Sequence, residues 1–299
     1  MHKIILNWLF LFLFSLPTFC QSGSDKIEVL IVDGFSNHDW KQTSEVVKTI
    51  LEESGLFTIS ISTSPSEPED EEWKFWKPAF KSFSVVILNS NNIHNKEIRW
   101  PENVEKRLED YVKSGGGLYV LHSANNAFAD WPEYNLMIGL GWRSPGEGVA
   151  LQVADNGQIM KIPVGEGKAT YHGPRHDEVI YILNDHPIND GFPKAWKTPD
   201  MELYKFARGP AKNLTVLSYA RDHETNINWP VEWTVAYGKG RVYNSSMGHL
   251  WKEEIYPVGY RCIGFQTTLI RATEWLGTGK TSYSMPDNFP SESDIRMVE

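Results

Sequence analysis

Three short, almost wholly apolar runs constrain this chain more than any other feature. Residues 27–32, 85–89 and 118–121 each read as a buried strand, and each runs straight into a polar cluster. The first enters Asp33-Gly34-Phe35-Ser36-Asn37-His38-Asp39-Trp40, the second Asn89-Ser90-Asn91-Asn92, and the third His122-Ser123-Ala124-Asn125-Asn126. Between them, residues 43–54 have helical spacing and stop at Gly55, residues 57–62 alternate as a strand, and Pro101 opens a helix through Val112. A chain that alternates strand and helix in this way builds a mostly parallel sheet covered on both faces. In such open α/β sheets ligands bind outside the carboxyl ends of the strands. The two histidine-bearing loops therefore predict one shared pocket.

The second half is less regular. Residues 149–153 and 158–162 flank Asp155-Asn156-Gly157, a hairpin signal. Further strands are expected over 179–183, 216–219, 231–236 and 241–245, and a closing helix over 265–276. No repeat or low-complexity linker divides the chain. The expectation is one α/β domain over 26–280 with extra β-hairpin insertions, and a polar, proline-bearing tail, 281–299, that wraps its surface.

Residues 1–20 read as a secretory signal, with a short apolar run and a cleavage-like region ahead of Gln21. The run falls short of the ~20 residues that span a bilayer, so no integral membrane span is expected. This predicts an exported protein, periplasmic or extracellular. Lipid anchoring through Cys20 is disfavoured by the bulky Phe19 before it. Removal of the segment leaves Cys262 as the only cysteine, which excludes an internal disulfide and a CxxC site. The formal net charge of −9 argues against a nucleic-acid partner or an anionic membrane surface.

The usual occupants of a strand-end pocket are missing. There is no Gly-x-Ser-x-Gly elbow, no dinucleotide fingerprint, and Gly115-Gly116-Gly117 precedes a strand, so it is a turn and not a phosphate loop. His172 and His176 are four apart, but Gly173-Pro174 between them forbids the helix that would align them. No ligand spacing demands a metal, although a divalent ion such as zinc could be held by residues distant in sequence. What remains is acid–base chemistry. His38, His122 and His249 each follow an apolar strand, and Asp33, Asp39, Glu202 and Glu232 could orient them or act as bases. Trp40, Trp131, Trp142, Trp233 and Trp251, with Asn91, Asn125, Asn126 and Asn135, offer stacking faces and donor–acceptor pairs suited to a neutral polyhydroxylated ligand. The same asparagines and aspartates could instead cap helices, and the same tryptophans could fill a core.

The ordered set of motifs resembles the ThuA-like (trehalose utilisation) family, whose fold is related to class I glutamine amidotransferases. It includes Asn37-His38-Asp39-Trp40, Gly115-Gly116-Gly117 running to His122, Asn125-Asn126-Ala127-Phe128, Trp131 with Glu133-Tyr134-Asn135, and Gly141-Trp142-Arg143. It continues through His172-Gly173, His186-Pro187-Ile188, Glu202-Leu203-Tyr204, Tyr237-Gly238-Lys239-Gly240 and Gly248-His249. The resemblance implies a flavodoxin-like sheet and places His122 near the elbow where an amidotransferase carries its cysteine. No cysteine stands there, so glutaminase chemistry is not carried over. It also implies carbohydrate catabolism, with a keto-sugar substrate and a functional link to a sugar oxidoreductase.

On this reading the protein hydrolyses, eliminates or isomerises a keto-sugar or 3-keto-glycoside. His38 and His122 form the acid–base pair, with Glu202 or His249 assisting; Asp39, Trp40, Asn91, Asn125, Trp131, Asn135, Trp142 and His172 contact the small carbohydrate substrate. Two alternatives stay open: a non-catalytic carbohydrate-binding protein and a zinc-dependent sugar hydrolase.

Overall fold

The computed structural model describes residues 26–255 and 257–299. The expected signal segment 1–20, with Cys20, lies outside the described residues.

Strands β1 (Ile27–Asp33), β2 (Phe57–Thr63), β3 (Val85–Leu88) and β4 (Gly117–Leu121) alternate with helices α1 (Trp40–Glu53) and α2 (Glu102–Lys113). Helix α3 (Pro132–Ile138) follows, then β5 (Val149–Val153), β6 (Ile159–Ile162), β7 (His176–Ile182), β8 (Ala195–Met201), β9 (Arg208–Gly209), β10 (Leu214–Arg221), β11 (Asn228–Tyr237) and β12 (Gly240–Ser245). Helices α4 (Val258–Arg261) and α5 (Ile263–Thr278) close the domain. The strands join in one sheet of order β2-β1-β3-β4-β12-β11-β10-β7-β8, with β5, β6 and β9 as a side branch. The first five strands in that order are parallel and the rest antiparallel. The α/β, mostly parallel architecture with hairpin additions is as the sequence pattern predicts, and its flavodoxin-like form is as the family resemblance implies.

The parallel strands are apolar on both faces because both are covered. Along β1, Leu30 and Val32 enter a core with α2, α3 and a tryptophan-rich patch of Trp73, Trp100 and Trp131. Val29 and Ile31 enter the opposite core, with α1 and α5. Two-residue alternation of side chains produces this division. The tail returns along the domain: Ile263 and Val298 donate backbone hydrogen bonds to Arg296 and Arg261, and Lys197 donates to Ser291. Cys262 is a buried free thiol. Among the described residues no helix is long and apolar enough to cross a membrane.

Strands β1, β3, β4 and β12 are mutually parallel, so their carboxyl ends open on the same edge of the sheet.

Candidate functional site

Four chain segments leaving strand ends converge on this edge. His38 follows β1, His122 directly follows β4, Glu202 directly follows β8, and His249 follows β12. One ligand atom from each lies within 4.8 Å of every other. Glu202 reaches the group from the far edge of the sheet, so the antiparallel half curls back over the parallel half. The turns are built locally. Gly34 takes φ +134°, and a Cβ there would lie 2.3 Å from Ser64 Oγ. His122 is at φ +40°, a region a side-chain-bearing residue adopts only when its surroundings over-determine it.

The hydrogen bonds around each ring assign its free lone pair. His122 Nδ1 is 2.7 Å from the carbonyl oxygen of Ser246 and must donate to it, which leaves Nε2 unprotonated in the neutral ring. His38 is fixed through a relay. The Ile93 N–H donates to Asn91 Oδ1 at 2.9 Å, so Asn91 turns its amide nitrogen to Asn37 Oδ1 at 2.6 Å. Asn37 therefore presents oxygen to His38 Nδ1 at 2.9 Å, and Nε2 again carries the lone pair. His38 is only 6 % exposed, and its Nε2 has no hydrogen-bond partner. A buried polar atom without a partner is costly. His122 Nε2 also faces Glu202 Oε2 at 3.3 Å, two lone pairs that only a proton or a cation between them reconciles. His172 Nε2 lies 3.0 Å from the other carboxylate oxygen, Oε1. These residues fit a divalent cation: nitrogen and carboxylate donors, buried, each oriented by an outer partner.

The electrostatics agree. Burial, then the neighbouring imidazoles His122 and His249, push the His38 pKa down to about 2. Burial, then His122, push His249 down to about 3. Burial alone would raise Glu202, but His122 and the adjacent His249 and His172 outweigh it and hold the carboxyl at about 2. His38 and His249 are thus held neutral beside an ionised Glu202, as metal ligation requires.

Two hollows are walled by neighbours of the cluster and by none of its four residues. One, of about 320 Å³, is walled by Trp142, Asn126, Asn92 and Arg143. The other, of about 400 Å³, is walled by Trp251, Asn37, Asn91 and Asn92. Trp251 is 46 % exposed and sets its ring edge-on to His38 and parallel to His249. Trp142 packs on Tyr204 and against His172.

Of the residues anticipated from sequence, His38, His122, Glu202 and His249 meet in the cluster, and His172, Asn91 and Trp142 adjoin it. Asn125 is buried beneath, with its amide nitrogen 3.5 Å from the Ser245 carbonyl. Four others have different work. Asp39 caps α1, accepting from the Gln42 N–H at 3.0 Å, and Trp40 is the first residue of that helix. Trp131 lies in the aromatic core, 3 % exposed, its Nε1 donating to Glu109 at 2.9 Å. Asn135 accepts from Arg143 Nε at 2.9 Å and donates to the Ala129 and Trp131 carbonyls. The side-chain polar atoms of Trp131 and Asn135 are thus all paired inside the protein. Glu232 is likewise internal, accepting from Ser218 and Tyr243 in the sheet, and Asp33 accepts from Ser44 at 2.5 Å.

Sequence reasoning missed Tyr204 and Arg175. The buried Tyr204 hydroxyl lies 3.4 Å from His122 Nε2, and its place beside Glu202 in the chain was the available signal. Arg175 Nη1 lies 2.8 Å from His249 Nδ1. It sits inside the His172–His176 segment, which drew notice only for its histidines.

A family model described as trehalose utilisation, ThuA, matches residues 28–276. The chain is similar to the crystal structure of a ThuA-like protein from Parabacteroides merdae, with 32% identity and a TM-score of 0.84 over 91% of this chain and 98% of that one. It is also similar in fold to a ThuA-like protein from Bacteroides uniformis, with 17% identity and a TM-score of 0.56 over 85% of this chain and 92% of that one. No curated protein sequence matches the chain.

Proposed function

The chain belongs to the ThuA, or trehalose-utilisation, family, and from that premise we propose that it is an exported carbohydrate-utilisation enzyme. Its proposed reaction is metal-assisted elimination or hydrolysis of a keto-sugar, such as a 3-keto-glycoside. The observation that supports this most is the unpartnered, buried Nε2 of His38, aimed into a group with His122, Glu202 and His249. A divalent ion such as zinc held there would polarise the ketone oxygen.

A ketone at C3 acidifies the proton on C2. A base on the same edge of the sheet removes that proton, a C1–C2 double bond forms, and the C1–O bond breaks. The departing oxygen takes a proton from an acid on the same edge, and addition of water to the unsaturated sugar completes a net hydrolysis. Chemistry of this kind needs a dehydrogenase upstream to make the ketone, which is the basis for the proposed link to a sugar oxidoreductase. Trp142 and Trp251 offer apolar faces to the sugar rings.

The test is turnover of a 3-keto-disaccharide against its unoxidised parent by the zinc-loaded protein. We expect cleavage of the first and none of the second. Equal inertness toward both, with ligand returned unchanged and Trp251→Ala weakening its binding, would instead mark a carbohydrate-binding protein. Export is tested by sequencing the mature amino terminus, which we expect to lie just after residue 20.

A further inference from the structure

The four cluster residues are not equivalent, because the atoms behind them differ. His38 and His122 have oxygen acceptors at Nδ1, Asn37 Oδ1 and the Ser246 carbonyl. His249 has a guanidinium there, with Arg175 Nη1 at 2.8 Å. Arginine carries only donors and keeps its proton at any physiological pH. His249 Nδ1 must therefore be the acceptor, and the hydrogen of the neutral ring lies on Nε2. An Nε2 that carries hydrogen has no lone pair to give a metal. That nitrogen stands 3.9 Å from Glu202 Oε1, too far for a hydrogen bond, so its hydrogen remains available.

We propose that Arg175 is a positioning residue that sorts the cluster, holding His249 as an Nε2–H proton donor and leaving His38, His122 and Glu202 as the three protein ligands of the cation. Three protein ligands leave a coordination position open, as catalytic sites do, whereas four would close it. On this arrangement His38 and His122 would not act as the acid–base pair expected from sequence, because both rings direct lone pairs inward, and His249 would present the N–H. In the proposed elimination its Nε2–H would hydrogen-bond to the departing oxygen and stabilise the charge that develops there.

Arg175 is itself held for this task. The same Nη1 contacts Glu254 Oε1 at 2.7 Å and Asp200 Oδ2 at 3.1 Å. Asp200 sits at φ +48°, a left-handed conformation that a residue other than glycine seldom adopts. These two carboxylates keep the guanidinium on His249 instead of in solvent.

The ligand assignment rests on the proposed cation site, but the tautomer does not, and the experiment separates them. Long-range proton–nitrogen correlation spectra of the metal-free, 15N-histidine-labelled protein should show His249 as the Nε2–H tautomer and His38 and His122 as Nδ1–H. Arg175→Met should move the His249 signals toward Nδ1–H, and Arg175→Lys should restore them in part. In zinc titrations His249→Ala should keep affinity within about tenfold, while His38→Gln and His122→Gln should lose more than a hundredfold. A wild-type His249 found as Nδ1–H, or unmoved by Arg175→Met, would overturn the role of Arg175. Equal loss of zinc in His249→Ala and His38→Gln would overturn the ligand split. Absence of zinc, cobalt or manganese binding by the wild type would overturn both the cation site and the split, with the tautomer result still judging Arg175.

Discussion

Histidines meet a buried glutamate in two places in this molecule, and the contrast between them is instructive. At the strand ends, His38, His122 and His249 surround Glu202, and at least one imidazole nitrogen is buried without a partner. On β7 and the turn after β10, His176 and His223 lie with ring centroids 4.7 Å apart, and His223 Nε2 reaches Glu178 at 3.0 Å. That second group is satisfied as it stands. Its glutamate has a partner, and the His223 side chain is 52% exposed, so water solvates the rest. The number of histidines does not distinguish the two. Burial without compensation does, because a lone pair removed from water needs a proton or a cation.

The sharpest way to break this comparison is to delete ligands at each place. Glu202→Gln or His38→Gln should cost more zinc affinity than the ~10–100-fold typical of outer-shell changes. His223→Ala should leave zinc affinity unchanged in the same titration, and equal losses would mean that the first cluster is not special. Next in size is the relay behind His38. Asn37→Ala and Asn91→Ala remove groups that orient the ring without touching the cation, and each should lower zinc affinity by about 10–100-fold with little change in melting temperature.

Acid provides a third contrast, with opposite signs. In the folded, metal-free protein His38 and His249 stay neutral down to about 2 and about 3, whereas in the unfolded chain they take up protons near ~6.5. The unfolded state then binds more protons, so stability is full above that pH and falls as the pH drops, by up to about 1.4 kcal/mol per pH unit for each group. Glu202, held at about 2, adds a loss of the same sign below the usual carboxylate range. Glu178 behaves in reverse. Burial raises its pKa above the ordinary value despite His223, so the folded state binds the proton more tightly and this group favours folding as the pH falls. Denaturant melts between pH 4 and 7 should show a weaker acid dependence in His38→Gln and a stronger one in Glu178→Gln. The smallest effect belongs to the hollows. Trp251→Ala should weaken sugar binding, measured by calorimetry, by roughly 0.5–1.5 kcal/mol and leave zinc affinity unchanged.

Much of this was legible in the chain. The apolar runs that become β1, β3 and β4 announced a buried parallel sheet, and His38 and His122 stood out because each follows such a run within a polar loop. His249 came from the same logic, whereas Glu202 stood out only as a carboxylate that could orient an imidazole or act as a base, because no strand was expected to precede it. What the chain did not show is that Trp131 and Asn135, which stand in a loop and a short helix among polar residues, are turned inward by α3, where Glu109 and Arg143 complete their hydrogen bonds. Arg175 was invisible because the chain passes 74 residues between it and the ring it touches.

The sequence by itself determined the layers of the fold, the edge on which a ligand could bind and the kinds of side chain that would gather there. Periodicity and strand-end composition are local properties, and local properties survive in one dimension. Only the tertiary structure decided that Glu202 crosses from the far edge to meet His122, that His38 Nε2 is left without a partner, and that Arg175 stands behind one imidazole while carbonyl oxygens stand behind the other two. Those are facts about which atoms face each other after the sheet curls. A histidine's chemistry depends on what lies behind its second nitrogen, and no reading along the chain reveals that.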